Sequence, residues 1–218
     1  DGFVFIKENL IFQNNEWDIG NLEKEARIKH SPIFRAPYIL QYLNGLRKYH
    51  FHDTGSNSPF TKYSNTETDI NYFYNDGMNI AAFMYNIHET NKIVYNRIIN
   101  NIQSVAPYFS DFYFAPNSEN NLKLQWRDKF SDVIYGVNDL SDGTLRFIAL
   151  SILFLQPHLP DTIIIDEPEL GLHPFAIAKL SGMIKSASKK STQVIVATQS
   201  ADLISHFEPE DIITVDQI

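Results

Sequence analysis

The chain has 218 residues, no cysteine and a formal net charge of −8 from 26 acidic and 18 basic residues. The length suffices to bury a sizeable core, and the missing cysteines exclude disulfides and thiolate metal sites and fit a reducing compartment, so a cytoplasmic protein is expected. The acid excess argues against this stretch gripping a nucleic-acid backbone unaided, and no apolar run approaches the roughly 18–20 residues that span a bilayer, so no membrane partner is expected.

Residues 1–35 alternate short apolar pieces, Phe3–Ile6 and Leu10–Phe12, with polar ones, and read as one or two short strands and a loop. Pro37 suits the first turn of a helix whose apolar face is Tyr38, Ile39, Tyr42, Leu43 and Leu46. The polar run 56–69 reads as a mobile loop. Helices are expected at Asn79–His88 and Asn91–Val105, the second with Val94, Ile98, Ile102 and Val105 on one stripe. Phe109–Ala115, Leu122–Trp126 and Val133–Val137 alternate as antiparallel strands do. From Leu140 the texture changes to alternating helix and strand: helix 143–155, an apolar strand at Ile163–Ile165, helix 174–188, strand Val194–Thr198, a short helix at Ala201–His206 and a last strand at Ile212–Val215. That order implies α/β architecture with a parallel sheet. The chain is therefore divided into a mixed helical and antiparallel-strand subdomain, 1–138, and an α/β portion, 139–218.

The chain is organised around Thr162–Pro174, TIIIDEPELGLHP. Three β-branched aliphatics in a row suit a strand covered on both faces. Asp166 and Glu167 follow at its carboxyl end, where open α/β sheets bind ligands. Aliphatic strand, Asp-Glu, turn and helix make the Walker B pattern of nucleotide hydrolases. Upstream, Leu140-Ser141-Asp142-Gly143-Thr144 opens an apolar helix, and its free N–H groups and dipole suit a phosphate. The same residues also suit plain capping of a core helix by Ser141 or Asp142. His50-x-His52-Asp53 admits a metal reading, but no third ligand is identifiable and a packed or capping pair is preferred. His173 is read as a helix-entry residue rather than a ligand. Arg146 stands one turn into the apolar helix, where it could reach a phosphate or brace Asp142.

LSDGTLRFIALSILFLQP, TIIIDEPELGLHP and QVIVATQSADLI resemble, in order and spacing, the C-terminal half of ATP-binding-cassette ATPase heads, nearest to the SMC/RecF-like bacterial ATPases often labelled AAA-family. YHFHDTG, DGMNIAAFM and the run from APYFSDFYF to LKLQW extend the resemblance from about Arg47 onward. It implies a P-loop NTPase head fragment, with LSDGT as the cassette signature, DEPELGLHP as Walker B with its D-loop, and VIVATQS as the switch strand. It further implies ATP as substrate with Mg²⁺ held by Asp166 through a retained water, and Glu167 orienting or deprotonating the attacking water. Ser141 and the Gly143 N–H would contact the γ-phosphate of nucleotide held by a second subunit, in a homodimer whose heads sandwich ATP. Glu169–His173 would lie between the subunits. Gln199 stands at the switch position, where transporter cassettes usually carry His; it can hydrogen-bond a phosphate but cannot carry the proton.

No GxxxxGK[ST] phosphate loop occurs in the sequence, and one is expected upstream of Asp1 in the complete reading frame. The expected function is thus part of an ATP-hydrolysing head, with ATP-driven dimerisation serving DNA repair or anti-phage defence and DNA or a nuclease as possible partner. The alternative is a non-catalytic module whose signature completes a partner's ATP site or controls an associated nuclease.

Overall fold

Residues 8–12, 15–20, 46–190 and 192–215 are described by the computed structural model. The chain divides into two units, Asp1–Leu46 and Arg47–Ile218. In the first, β1 (Glu8–Phe12) and β2 (Asn15–Gly20) pair antiparallel, with Leu10 opposite Trp17. The strand expected at Leu10–Phe12 is β1; the expectations for Phe3–Ile6 and for the helix beginning at Pro37 lie outside the described residues, save at Leu46. Leu46 is not helical but opens strand β3 (Leu46–Tyr49). An apolar residue at the end of a helical stripe fits either structure; here sheet pairing and the stacking of Tyr49 near Phe51 and Phe73 decide it.

The second unit is built from two kinds of sheet and four longer helices. The run 56–69 is more ordered than its polarity suggests. A single 3₁₀ turn at Pro59–Thr61 places Phe60 in the core at 1% exposure, 6.1 Å from the Phe51 ring. Strand β4 (Ser64–Asn65) follows, and the Asn65 N–H donates to Asp69 at 2.8 Å. The fully buried Asn79 amide donates to the carbonyls of Asp69 and Tyr72 and accepts from the Tyr74 N–H. Polar side chains therefore satisfy one another and the backbone instead of solvent.

Helix α1 (Ile80–Thr90) precedes α2 (Lys92–Val105), which Asn91 caps by accepting from the Val94 N–H. The buried face of α2 is Tyr95, Ile98, Ile99 and Ile102, a helical stripe rotated slightly from the one expected through Val94 and Val105. Strands β5 (Phe109–Phe112), β6 (Asn121–Leu122), β7 (Gln125–Asp128) and β8 (Ile134–Gly136) come next. The single strand expected at Leu122–Trp126 is in fact two: β6 pairs with β4, whereas β7 lies between β5 and β8. Leu122, Leu124 and Trp126 are all buried, so the alternation runs on unbroken while the pairing partner changes. Trp126 anchors the antiparallel sheet, stacking on Phe109 and Tyr135 and donating its indole N–H to the Gly136 carbonyl.

Helix α3 (Asp142–Leu155) is buried almost all round, from Leu145 through Phe154, as befits a helix packed between α2 and α4 (Pro174–Ser188). Truncating a core residue such as Leu153 to alanine should cost about 2–5 kcal/mol. Strand β9 (Thr162–Asp166) occupies the middle of a three-stranded sheet, with β3 on one side and β10 (Gln193–Ala197) on the other. β9 and β10 run parallel, in a register that sets Asp166 beside Ala197. Helix α5 (Ala201–Ile204) follows β10, capped by Ser200. The strand expected at Ile212–Val215 does not form; none of these residues pairs with a described strand, and Ile213 and Val215 are each 90% exposed. β-branched residues raise strand propensity, but without a neighbouring strand that preference has no ladder to complete.

Candidate active site

Three segments meet at the carboxyl ends of β9 and β10. The first is Asp166-Glu167 and the turn behind it. The Glu167 N–H donates to the Ala197 carbonyl at 2.8 Å, extending the sheet bonding one residue past the strand. There the backbone breaks away, with Glu167 in the left-handed region at φ 38°. Turn bonds from Leu170 N–H to the Glu167 carbonyl and from Leu172 N–H to the Glu169 carbonyl complete the reversal. Pro174 starts α4, with the His173 ring accepting from the Phe175 N–H, so His173 is indeed a helix-entry residue. Asp166 is exposed and Glu167 half-buried, and neither carboxylate bonds or pairs with any described side chain or backbone group.

The second segment is the N-terminus of α3. Ser141 caps it, its Oγ accepting from the Thr144 N–H and lying 2.9 Å from the Thr144 hydroxyl. Tyr108 contacts the same threonine at 3.2 Å. The Asp142 and Gly143 N–H groups have no partner among the described residues, which leaves two donors and the positive end of the helix dipole open. The capping role of Ser141 and an anion-binding role for this turn are compatible.

These two segments touch. A Cβ on Gly143 would sit 2.4 Å from the Gly171 carbonyl oxygen, so only glycine allows α3 to approach the turn this closely. Gly171 itself has φ 76°. Arg146 locks the contact: its guanidinium donates to the main-chain carbonyls of Phe51 (3.2 Å), His52 (2.9 Å) and Leu170 (2.6 Å). It does not brace Asp142, as the sequence had left open; it ties α3 to the end of β3 and to the turn after Glu167. His52 joins in, its Nε2 donating to the Asp166 carbonyl at 2.8 Å, and its ring stacks on His50 at 4.5 Å. The carbonyl can only accept, so Nε2 carries the proton. Among the described residues no group of three or more His, Asp and Glu side chains could hold a metal by themselves.

The third segment is the loop after β10. Gln199 is exposed, at the same sheet end as Asp166. Its neighbour Thr198 donates to Glu169 at 2.5 Å and accepts from the Ser200 N–H at 3.0 Å. Glu169 is therefore turned inward, at 9% exposure, while Leu170, Gly171 and His173 remain on the surface.

Asp166, Glu167, Ser141, Gly143 and Gln199 are thus gathered at one end of the sheet. Arg146, His52 and Glu169 connect the segments, and sequence reasoning assigned none of them that role. Arg146 on the first turn of the helix was the available signal. Two hard carboxylates at a strand end, without partners among the described residues, are a donor set suited to a cation that keeps most of its waters, as Mg²⁺ does.

Comparison with known proteins agrees with this architecture. A search of curated proteins returns no match. An SMC head bound to the C-terminal winged-helix domain of ScpA matches with a TM-score of 0.51 at 16% identity, over 88% of this chain and 57% of that one. Smaller overlaps occur with a structure concerning ATP-driven dimerization and DNA-stimulated activation of SMC ATPases (TM-score 0.42, 18% identity, 57% of this chain, 78% of that one). An Smc head with an extended coiled coil from Pyrococcus furiosus gives a TM-score of 0.43 at 17% identity, over 56% of this chain and 32% of that one. The chain spans little more than half of the SMC head on which it superposes best of these three, and the likeness gives the fold: an α/β P-loop NTPase head. Residues 45–205 match the family model described as "AAA domain, putative AbiEii toxin, Type IV TA system". The chain belongs to that family of AAA-type ATPase domains, built on an SMC-like head.

Proposed function

We propose that this chain is the signature and Walker B part of an ATP-hydrolysing head that dimerises around ATP. The observation that carries the reading is the contact of the α3 N-terminus with the turn behind Asp166 and Glu167, which brings together open N–H donors and two carboxylates that have no partner among the described residues. Asp166 would hold Mg²⁺ through a water, and Glu167 would orient or deprotonate the attacking water. Mg²⁺, when bound, neutralises charge on the phosphate oxygens. Gln199 would hydrogen-bond the γ-phosphate or that water without carrying the proton. Ser141 and the Gly143 N–H would meet the γ-phosphate of nucleotide on a second copy, in line with their open position at the helix end. The partner is a second identical head, with DNA or a nuclease as the element it controls. Cytoplasmic DNA repair and anti-phage defence are the settings proposed, and defence fits the toxin–antitoxin association of the family better.

The test uses protein from the complete reading frame. Glu167→Gln should lower phosphate release by about 10²-fold or more, the usual scale for loss of a general base. It should also accumulate an ATP-bound dimer, seen by light scattering. Hydrolysis by Glu167→Gln at the unmodified rate would sink the assignment.

A further inference from the structure

We infer that Glu169 and Thr198 form a latch that sets the position of the Gln199 loop, making Glu169 a positioning residue for hydrolysis. The inference rests on the ATPase reading above and adds to it a residue pair that the Walker B and switch patterns do not define. Three observations carry it. The Thr198 hydroxyl bridges two partners, donating to Glu169 Oε1 at 2.5 Å and accepting from the Ser200 N–H at 3.0 Å. A hydroxyl used in both senses fixes its own rotamer and the backbone on either side of Gln199. Glu169 is only 9% exposed, and its second oxygen, Oε2, is buried with no hydrogen-bond partner among the described residues. Burying a carboxylate oxygen unpaired is costly, so packing alone does not account for an acid at this position. Finally, the Glu167 N–H bond to the Ala197 carbonyl lies alongside, so the two loops are joined both at Glu167 and two residues beyond it.

The consequence is that the turn carrying Glu167 and the loop carrying Gln199 cannot shift independently. Were the latch cut, Gln199 would sample more positions, and the loss would fall on turnover rather than on ATP binding.

The test again takes protein from the complete reading frame, with steady-state phosphate release and residue-resolved amide exchange measured together. Thr198→Val keeps the shape and removes the hydroxyl. It should lower kcat about tenfold, the equivalent of one charge-assisted hydrogen bond, with KM for ATP changed by less than about twofold. Thr198→Ser restores the hydroxyl and should stay within about twofold of the parent. Thr198→Val combined with Glu169→Gln should be no slower than Thr198→Val alone, since both cut one link. In the absence of nucleotide, the Ser200 amide should exchange faster in Thr198→Val and not in Thr198→Ser. A Thr198→Val enzyme with unchanged kcat overturns the latch, as does a Thr198→Ser enzyme as slow as Thr198→Val. Unchanged Ser200 exchange overturns it whatever the turnover. If Glu167→Gln remains active while Ser200 exchange responds as stated, it is the ATPase reading that fails and the link that stands.

Discussion

Glu167 pairs a catalytic assignment with an unfavourable backbone. At φ 38° it occupies a region that costs an L-residue roughly 1–2 kcal/mol, and it stays there because the bond to the Ala197 carbonyl and the turn behind it leave no alternative. Glycine at this position would relieve the strain and lose the carboxylate. Glu167→Gly should therefore melt within a few degrees of the parent or slightly above it, while phosphate release disappears. A melting point lower by more than about 5 °C would mean that the side chain, not the backbone, holds the turn. The two acids were legible from the sequence because strand, acids and turn are contiguous. The clamp of Arg146 was not, since its three acceptors are main-chain carbonyls, which any residue supplies. Glu169 was read as facing a second subunit; only the fold reveals that Thr198, 29 positions away, draws it inward.

At the scale of elements, the decisive contact is α3 against the turn. Gly143→Ala would drive a methyl group to 2.4 Å from a backbone oxygen that cannot swing aside. The expected cost is about 1–3 kcal/mol, or a melting point lower by roughly 3–10 °C. Gly182, in the middle of α4, is the internal contrast: among the described residues nothing lies within 4 Å of its Cβ position, so Gly182→Ala should stabilise by about 0.5–1 kcal/mol. Equal effects of the two substitutions in thermal unfolding would contradict the packing described. Helices α1 to α4 were foreseeable from apolar periodicity, caps and Pro174. The split of Leu122–Trp126 and the missing strand at Ile212–Val215 were not, because pairing partners lie far away in the chain and leave no local mark.

At the scale of the whole molecule, two buried tyrosines contribute a distinct pH response. Burial pushes the Tyr49 hydroxyl up to about 12, against the opposing charge of Arg47. Burial and the Asp111 carboxylate, which accepts the Tyr95 hydroxyl, push Tyr95 well above the usual tyrosine range. Above pH about 10 the unfolded chain loses these protons while the folded chain keeps them. Their contribution is complete below pH 10 and is lost as pH rises toward 12 and beyond, so denaturation midpoints should fall steeply over that window. Tyr95→Phe should flatten the fall; an unchanged slope would contradict the assignment. The architecture itself was legible: alternating helix and strand after Leu140 implied the parallel pairing of β9 with β10. The tightness of Gly143 against Gly171 also gives the molecule an internal ruler. Spin labels on the exposed Asp142 and Leu170 should report one narrow distance whether or not ATP is present. A new, longer distance appearing with ATP from a single label on Leu170 would then measure the gap between two copies, with no contribution from flexing within one.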